Sequence, residues 1–378
     1  MSVNPLLSTL RLGGSEVANR FVAQPVQSNL AENHQITPPL LDRYKTLAAS
    51  GWGMIITEPL AVEKTAAAYA KQLVGSAEFF FGLKQFFTVI RQASPDVRLV
   101  VQLMHAGRLA AGEHAVPLRV YADDEADDII DDSDIRRISG AFAESAKLLQ
   151  EAGADGIELP LSNGYLIGDF LRPRNRRAGM YGGGFENRVR FFIETVRKIR
   201  QVTSPSFLIG AKLSAYEGVR GGIGTGGVDD ILEDLDEVVK IAQITKREGL
   251  TYINVSQGTL EVTPGIATPS LQEALLSNNV FRYTKLLKKS GVITVGAGYS
   301  ILGDNLFAFA AENIEKDYTD MIGLGRQSLC DPATPLKMSQ GALETVRHCQ
   351  VCDQCSQRLH GGHPVGCVYY DPAYHDSL

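Results

Sequence analysis

The chain has no excess of positive charge: 37 lysines and arginines stand against 43 aspartates and glutamates, a formal net charge of −6 at pH 7. A mildly acidic protein makes a poor partner for nucleic acid or an anionic membrane surface. No apolar run approaches the roughly 18 residues needed to span a bilayer. The N-terminus has no basic segment leading into an apolar core, so a signal peptide is not expected. Cysteine is scarce, at five residues. Without export these read as thiols or metal ligands rather than disulfides, and a cytoplasmic protein is the expectation. No Gly-x-Gly-x-x-Gly follows the first strand, which argues against a Rossmann domain. There is no internal repeat beyond the alternation of strands and helices.

What is present is that alternation. The 378 residues suit one (βα)8 barrel with insertions. Eight short apolar segments read as strands: Arg20–Ala23, Met54–Thr57, Leu99–Leu103, Gly156–Leu159, Phe207–Leu213, Tyr252–Val255, Val292–Gly296 and Met321–Leu324. Most are continuous rather than alternating, as strands buried on both faces should be. Helical periods lie between them, as in Ile138–Ala152 and Phe191–Val202. Eight such units predict a closed parallel TIM barrel. Residues 7 to 18, with Gly13-Gly14 at their centre, predict a hairpin plugging its floor. The acidic run 123–134 matches no EF-hand spacing and reads as a solvated loop and helix N-terminus.

The most informative stretch runs from Gly153 to Phe191. Strand, polar loop and helix follow in that order, and barrel chemistry gathers on the loop after the strand. It contains Gly164-Tyr165-Leu166, Phe170-Leu171, Tyr181-Gly182-Gly183 and Glu186-Asn187-Arg188. This string resembles the fourth-strand signature of the old yellow enzyme family, the FMN-dependent NAD(P)H oxidoreductases. Gln102-Leu103-Met104-His105-Ala106-Gly107-Arg108 resembles that family's V-Q-L-x-H-A-G-R, and Gly325-Arg326 with Asp331-Pro332 and Lys337 resembles its G-R-x-x-x-x-D-P…K. The likeness covers the barrel from Asn19-Arg20 to Lys337.

The resemblance implies an FMN site, with NAD(P)H as reductant and a small-molecule acceptor. Pro25, Val26 and Gln27 follow the first strand, and Pro59 follows the second. Gln102 offers an amide that both donates and accepts, which suits the flavin's alternating edge. Lys212 ends the fifth strand. A lone ammonium is costly inside a barrel, so a negative partner is expected. The family usually has arginine here, facing the flavin N1–C2=O end. The implied phosphate site is Gly296-Ala297-Gly298 with Gly325-Arg326. His105 is open between a backbone-bonding histidine and a cofactor contact.

The implied catalytic residues are Asn163, as a substrate hydrogen-bond donor, and Tyr165, as a proton donor. Their alternatives are a turn residue and a packed aromatic. Pro160 occupies the position where the family has its first substrate donor, a histidine. Gln27 and Pro59 also depart from the family's usual residues.

The tail reads Cys349-x2-Cys352-x2-Cys355-x11-Cys367. Four thiolates at such spacing can wrap one soft metal centre. The 2,4-dienoyl-CoA reductase branch carries a similar pattern, with one more residue in the second gap, around a [4Fe-4S] cluster. An iron–sulfur cluster, zinc and free thiols are all open, while Cys330 reads as an ordinary buried cysteine. The expected organisation is a barrel over residues 1–347 and a cysteine-rich extension over 348–378. The expected activity is reduction of an activated alkene through the flavin. A redox-sensing or electron-transfer flavoprotein and an oxidative amine demethylase or dehydrogenase are the alternatives. A redox partner protein and a homo-oligomer are left open.

Overall fold

The computed structural model describes residues 4–122, 129–259, 262–267 and 278–377. Eight parallel strands close into a barrel in chain order. They are β3 (Phe21–Ala23), β4 (Met54–Ala61), β6 (Arg98–Met104), β7 (Gly156–Leu161), β8 (Leu208–Ser214), β9 (Tyr252–Ser256), β10 (Ile293–Gly296) and β11 (Met321–Leu324). Pairing of β3 with both β11 and β4 closes the ring. A two-residue strand, β5 (Leu73–Val74), adds to β4 outside it. The predicted hairpin forms as β1 (Leu10–Leu12) and β2 (Ser15–Val17).

Most strand ends move by a residue or two from the sequence reading, and two of these shifts have a visible cause. Arg20 stays outside β3 because its guanidinium reaches across to Ser8 and to the Asp320 carbonyl. The second strand runs on to Ala61 through a register shift between Thr57 and Leu60. Pro59 sits in that irregularity, where a missing N–H breaks no ladder bond.

The floor of the barrel is a separate apolar cluster. Val22, Met54, Ile56, Val100, Leu208, Val295 and Met321 fill it, and Leu12 and Val17 of the hairpin seal it. The longest helix, Asp132–Ala152, starts at Asp131, whose carboxylate accepts the Asp134 N–H at 2.8 Å. The acidic run therefore ends as an N-cap, as the macrodipole favours; residues 123–128 lie outside the described residues. No helix among the described residues is long and apolar enough to cross a membrane.

The C-terminal extension packs onto the barrel mouth. Gln327 accepts the Cys349 N–H at 3.1 Å and donates to the Arg347 carbonyl at 2.8 Å. The Val365 N–H reaches the Ser28 carbonyl at 2.7 Å. Asn29 donates to the carbonyls of Leu359 and His363. A short helix, Gln354–His360, lies between these anchors.

Candidate functional site

A cleft of about 1370 Å³, counting its open mouth, lies at the C-terminal ends of the strands. Pro25, Val26 and Gln27 follow β3 along its wall, and Pro59 comes from β4. Gln102 of β6, Asn163 and Tyr165 of the loop after β7, and Lys212 of β8 line it, and Ala297, Gly298, Gly325 and Arg326 line its far end. Of the flavin and catalytic residues expected from sequence, Gly296 alone is not in the lining. Its N–H is held inside the barrel by Thr319 at 3.1 Å.

The wall is organised by amide chemistry. Gln24 and Asn254 exchange two hydrogen bonds of 2.7 Å each. Asn254 also donates to Glu158 at 2.9 Å, and Gln102 donates to the other Glu158 oxygen at 2.8 Å. Glu158 is fully buried, on β7 between Gln102 on β6 and the β8 backbone. Burial pushes its carboxyl up and the Lys212 ammonium down, while the charge of each pulls the other back toward its ordinary range. Gly323 is required here: a Cβ would lie 2.0 Å from the Gln24 amide nitrogen.

The far end of the cleft depends on tight turns. Gly298 has φ +86°, and a side chain there would strike Val280 and Asn278. Beside it, the Ser300 hydroxyl accepts the Gln327 N–H at 3.1 Å.

Tyr165 is buried, and its phenol lies against that of Tyr69, which also lines the cleft. Burial first, then Tyr69, pushes its pKa well above 10, so the phenol keeps its proton. Asn163 adopts φ +60°. It is therefore both the turn residue and a cleft residue, because the left-handed turn is what directs this loop inward. Pro160 is buried opposite Lys212 in the β7–β8 ladder and gives the cleft no donor.

His105 takes the backbone-bonding role. Its Nδ1 accepts the Gly107 N–H at 3.0 Å and its Nε2 lies 3.6 Å from Glu63. It is not part of the cleft lining.

The four tail cysteines line one small cavity of about 340 Å³. Cys330, buried as expected, lines it too. The loop between the cysteines is sharply bent, with Val351 at φ +52° and Asp353 at φ +59°. A β-branched residue in that region is strained. The bend brings the Val351 N–H to 3.5 Å from the Cys349 sulfur. Among the described residues, no group of three or more His, Cys, Asp or Glu side chains is arranged to hold a metal ion. Arg326, Leu329, Asp353 and Cys355 form a wall shared by this cavity and the large cleft.

Sequence reasoning missed Gln24, Tyr69 and Glu158. Glu158 lay inside the signature block, and its signal was a carboxylate within an otherwise apolar strand. Leu359 and Val365 reach the cleft from the extension, and nothing local in sequence marks them.

A family model described as the NADH:flavin oxidoreductase / NADH oxidase family matches residues 5–344. An NADH oxidase of Thermoanaerobacter brockii is 29% identical over 92% of this chain, which spans 52% of that protein. An NADPH dehydrogenase of Halalkalibacterium halodurans is 27% identical over 87% of this chain and is matched over 92% of its own length. A solved 2-naphthoyl-CoA reductase superposes with a TM-score of 0.86 at 20% identity, covering 98% of this chain and 57% of that one. The chain thus spans about half the length of several proteins it matches.

Proposed function

The chain belongs to the NADH:flavin oxidoreductase / NADH oxidase family and is an enzyme; on that premise we propose that it binds FMN in the large cleft and uses NAD(P)H to reduce an activated alkene, an enone or dienoyl-type acceptor. Bound FMN would supply hydride transfer through its N5. The observation that carries this reading is that one cleft gathers an amide-and-ammonium wall, a glycine-lined far end and a buried phenol. Gln27 adds to the fit: its Oε1 is buried in the wall with no partner among the described residues, an acceptor waiting for a donor.

Each residue then has a task. Gln102 and Lys212 would hold the flavin's polar edge, and Gly298, Gly325 and Arg326 would hold its phosphate. Asn163 would orient the acceptor, and Tyr165 would deliver a proton to the carbon that does not receive hydride. The Tyr69 phenol beside Tyr165 offers a second polar group where Pro160 removes one.

The cysteine cavity supports a metal centre held by Cys349, Cys352, Cys355 and Cys367, with an iron–sulfur cluster favoured over zinc. Four thiols around one cavity would suit a multi-atom cluster, and an N–H close to a ligand sulfur is a common feature of such sites. The wall shared with the large cleft favours a second reading, in which Cys349, Cys352, Cys355 and Cys367 would hold a redox centre close enough to the flavin site to exchange electrons with it and with a partner protein.

Anaerobic purification, a visible spectrum, and flavin and metal analysis test these readings. Yellow protein that releases FMN on heating, with iron and broad dithionite-bleachable absorption, is the expected result. Release of FAD alone, or no flavin after reconstitution, would remove the first reading; neither iron nor zinc in stoichiometric amount would remove the metal centre. Serine at any one of the four cysteines should abolish the iron signal.

A further inference from the structure

Lys212 lines the cleft, and the negative group facing it is Glu158, which does not line it. Behind the wall this single carboxylate accepts from Gln102 and from Asn254, and Asn254 in turn clasps Gln24. Three cleft-lining side chains are thus tied, directly or through one amide, to one buried anion. A carboxylate can only accept. Gln102 must therefore turn an N–H toward Glu158, which leaves its carbonyl and its second N–H for the cleft.

We propose that Glu158 is a positioning residue for the cofactor, fixing which face of the Gln102 amide meets the flavin and offsetting the Lys212 charge so that the flavin's reduction potential is held down, an inference that rests on the reading of the cleft as an FMN site. Reduction adds negative charge to the flavin. Lys212 attracts that charge, and a carboxylate one layer behind opposes it. The groups facing Glu158 are Gln102 from β6, Lys212 from β8, and Asn254 and Tyr252 from β9. Of these only Lys212 and Tyr252 titrate. Tyr252 is fully buried beside the carboxylate and stays neutral. Lys212 is therefore the one positive charge that Glu158 offsets.

The test measures FMN midpoint potential and FMN dissociation constant for wild type, Glu158→Gln, Glu158→Asp, Lys212→Met and the Glu158→Gln/Lys212→Met double variant. Circular dichroism checks that each is folded. Glu158→Gln should raise the potential, and Lys212→Met should lower it. The double variant should fall between the two, and Glu158→Asp, which keeps the charge, should lie closer to wild type than Glu158→Gln. An amide at position 158 can donate to Gln102 and flip it, so FMN binding should weaken about ten-fold, the scale of one charge-assisted hydrogen bond. A folded, FMN-loaded Glu158→Gln protein with an unchanged or lowered potential overturns the proposal. Wild-type protein that takes up no FMN overturns the reading of the cleft first, and this inference with it.

Discussion

The two ends of the barrel are built from the same strands and have opposite chemistry. At the N-terminal ends Val22, Met54, Val100 and Met321 interlock with the hairpin's Leu12 and Val17, and the only large polar-tipped side chain in that cluster is Tyr252. A few residues on, the same strands or the turns that follow present Gln24, Gln102, Glu158, Lys212 and Asn254. The floor is held by packing, with the Tyr252 phenol alone reaching toward Glu158. The mouth needs every amide to find a partner, and it retains acceptors and a charge that face the cleft. This separation allows the mouth to change its chemistry while the floor holds the barrel closed.

Three substitutions probe that contrast, in order of expected size. Tyr165→Phe should slow the oxidative half-reaction with an enone by about 10²- to 10⁴-fold and leave flavin reduction by NAD(P)H nearly intact. Stopped-flow absorbance separates the two halves; equal rates in both would make Tyr165 a packing residue only. Leu12→Ala on the floor should cost about 2–5 kcal/mol in urea unfolding and leave the flavin potential unmoved. A shifted potential would show that floor and mouth are coupled.

The third concerns Glu58 of β4, fully buried with Ser28 and Arg43 beside its carboxylate. Burial pushes its carboxyl up to about 7 from an ordinary 4.5, against the opposing pull of Ser28 and Arg43. The folded protein therefore holds a proton that the unfolded chain releases above about 4.5. Stability should fall as pH rises from there to about 7, by about 3 kcal/mol at most, and level off above. Glu58→Gln should flatten that slope in thermal melts taken from pH 5 to 8. An identical slope in the variant would show that Glu58 is not the group responsible.

The eight strands were legible because strands buried on both faces must be continuous apolar runs, and turn residues bracket them. The cleft residues followed from position: a polar group at the end of such a run has only the mouth to face. Pro25, Gln102, Lys212 and Tyr165 were readable in this way once the signature block fixed the frame. Gly296 was not, because whether a glycine N–H faces a ligand or a neighbouring hydroxyl depends on the path of the turn.

By itself, then, the sequence determined the barrel, its floor plug, the family and part of the cleft's wall, since these follow from periodicity and from residues close together in the chain. The tertiary structure decided who faces whom. Glu158 and Lys212 are brought together by neighbouring strands, Tyr69 meets Tyr165 from different loops, and Cys330 joins cysteines that follow it by 19 to 37 residues. Partners of this kind depend on strand register and on how the extension folds back over the mouth. Electrostatics acts across those short distances in space, whatever their separation along the chain.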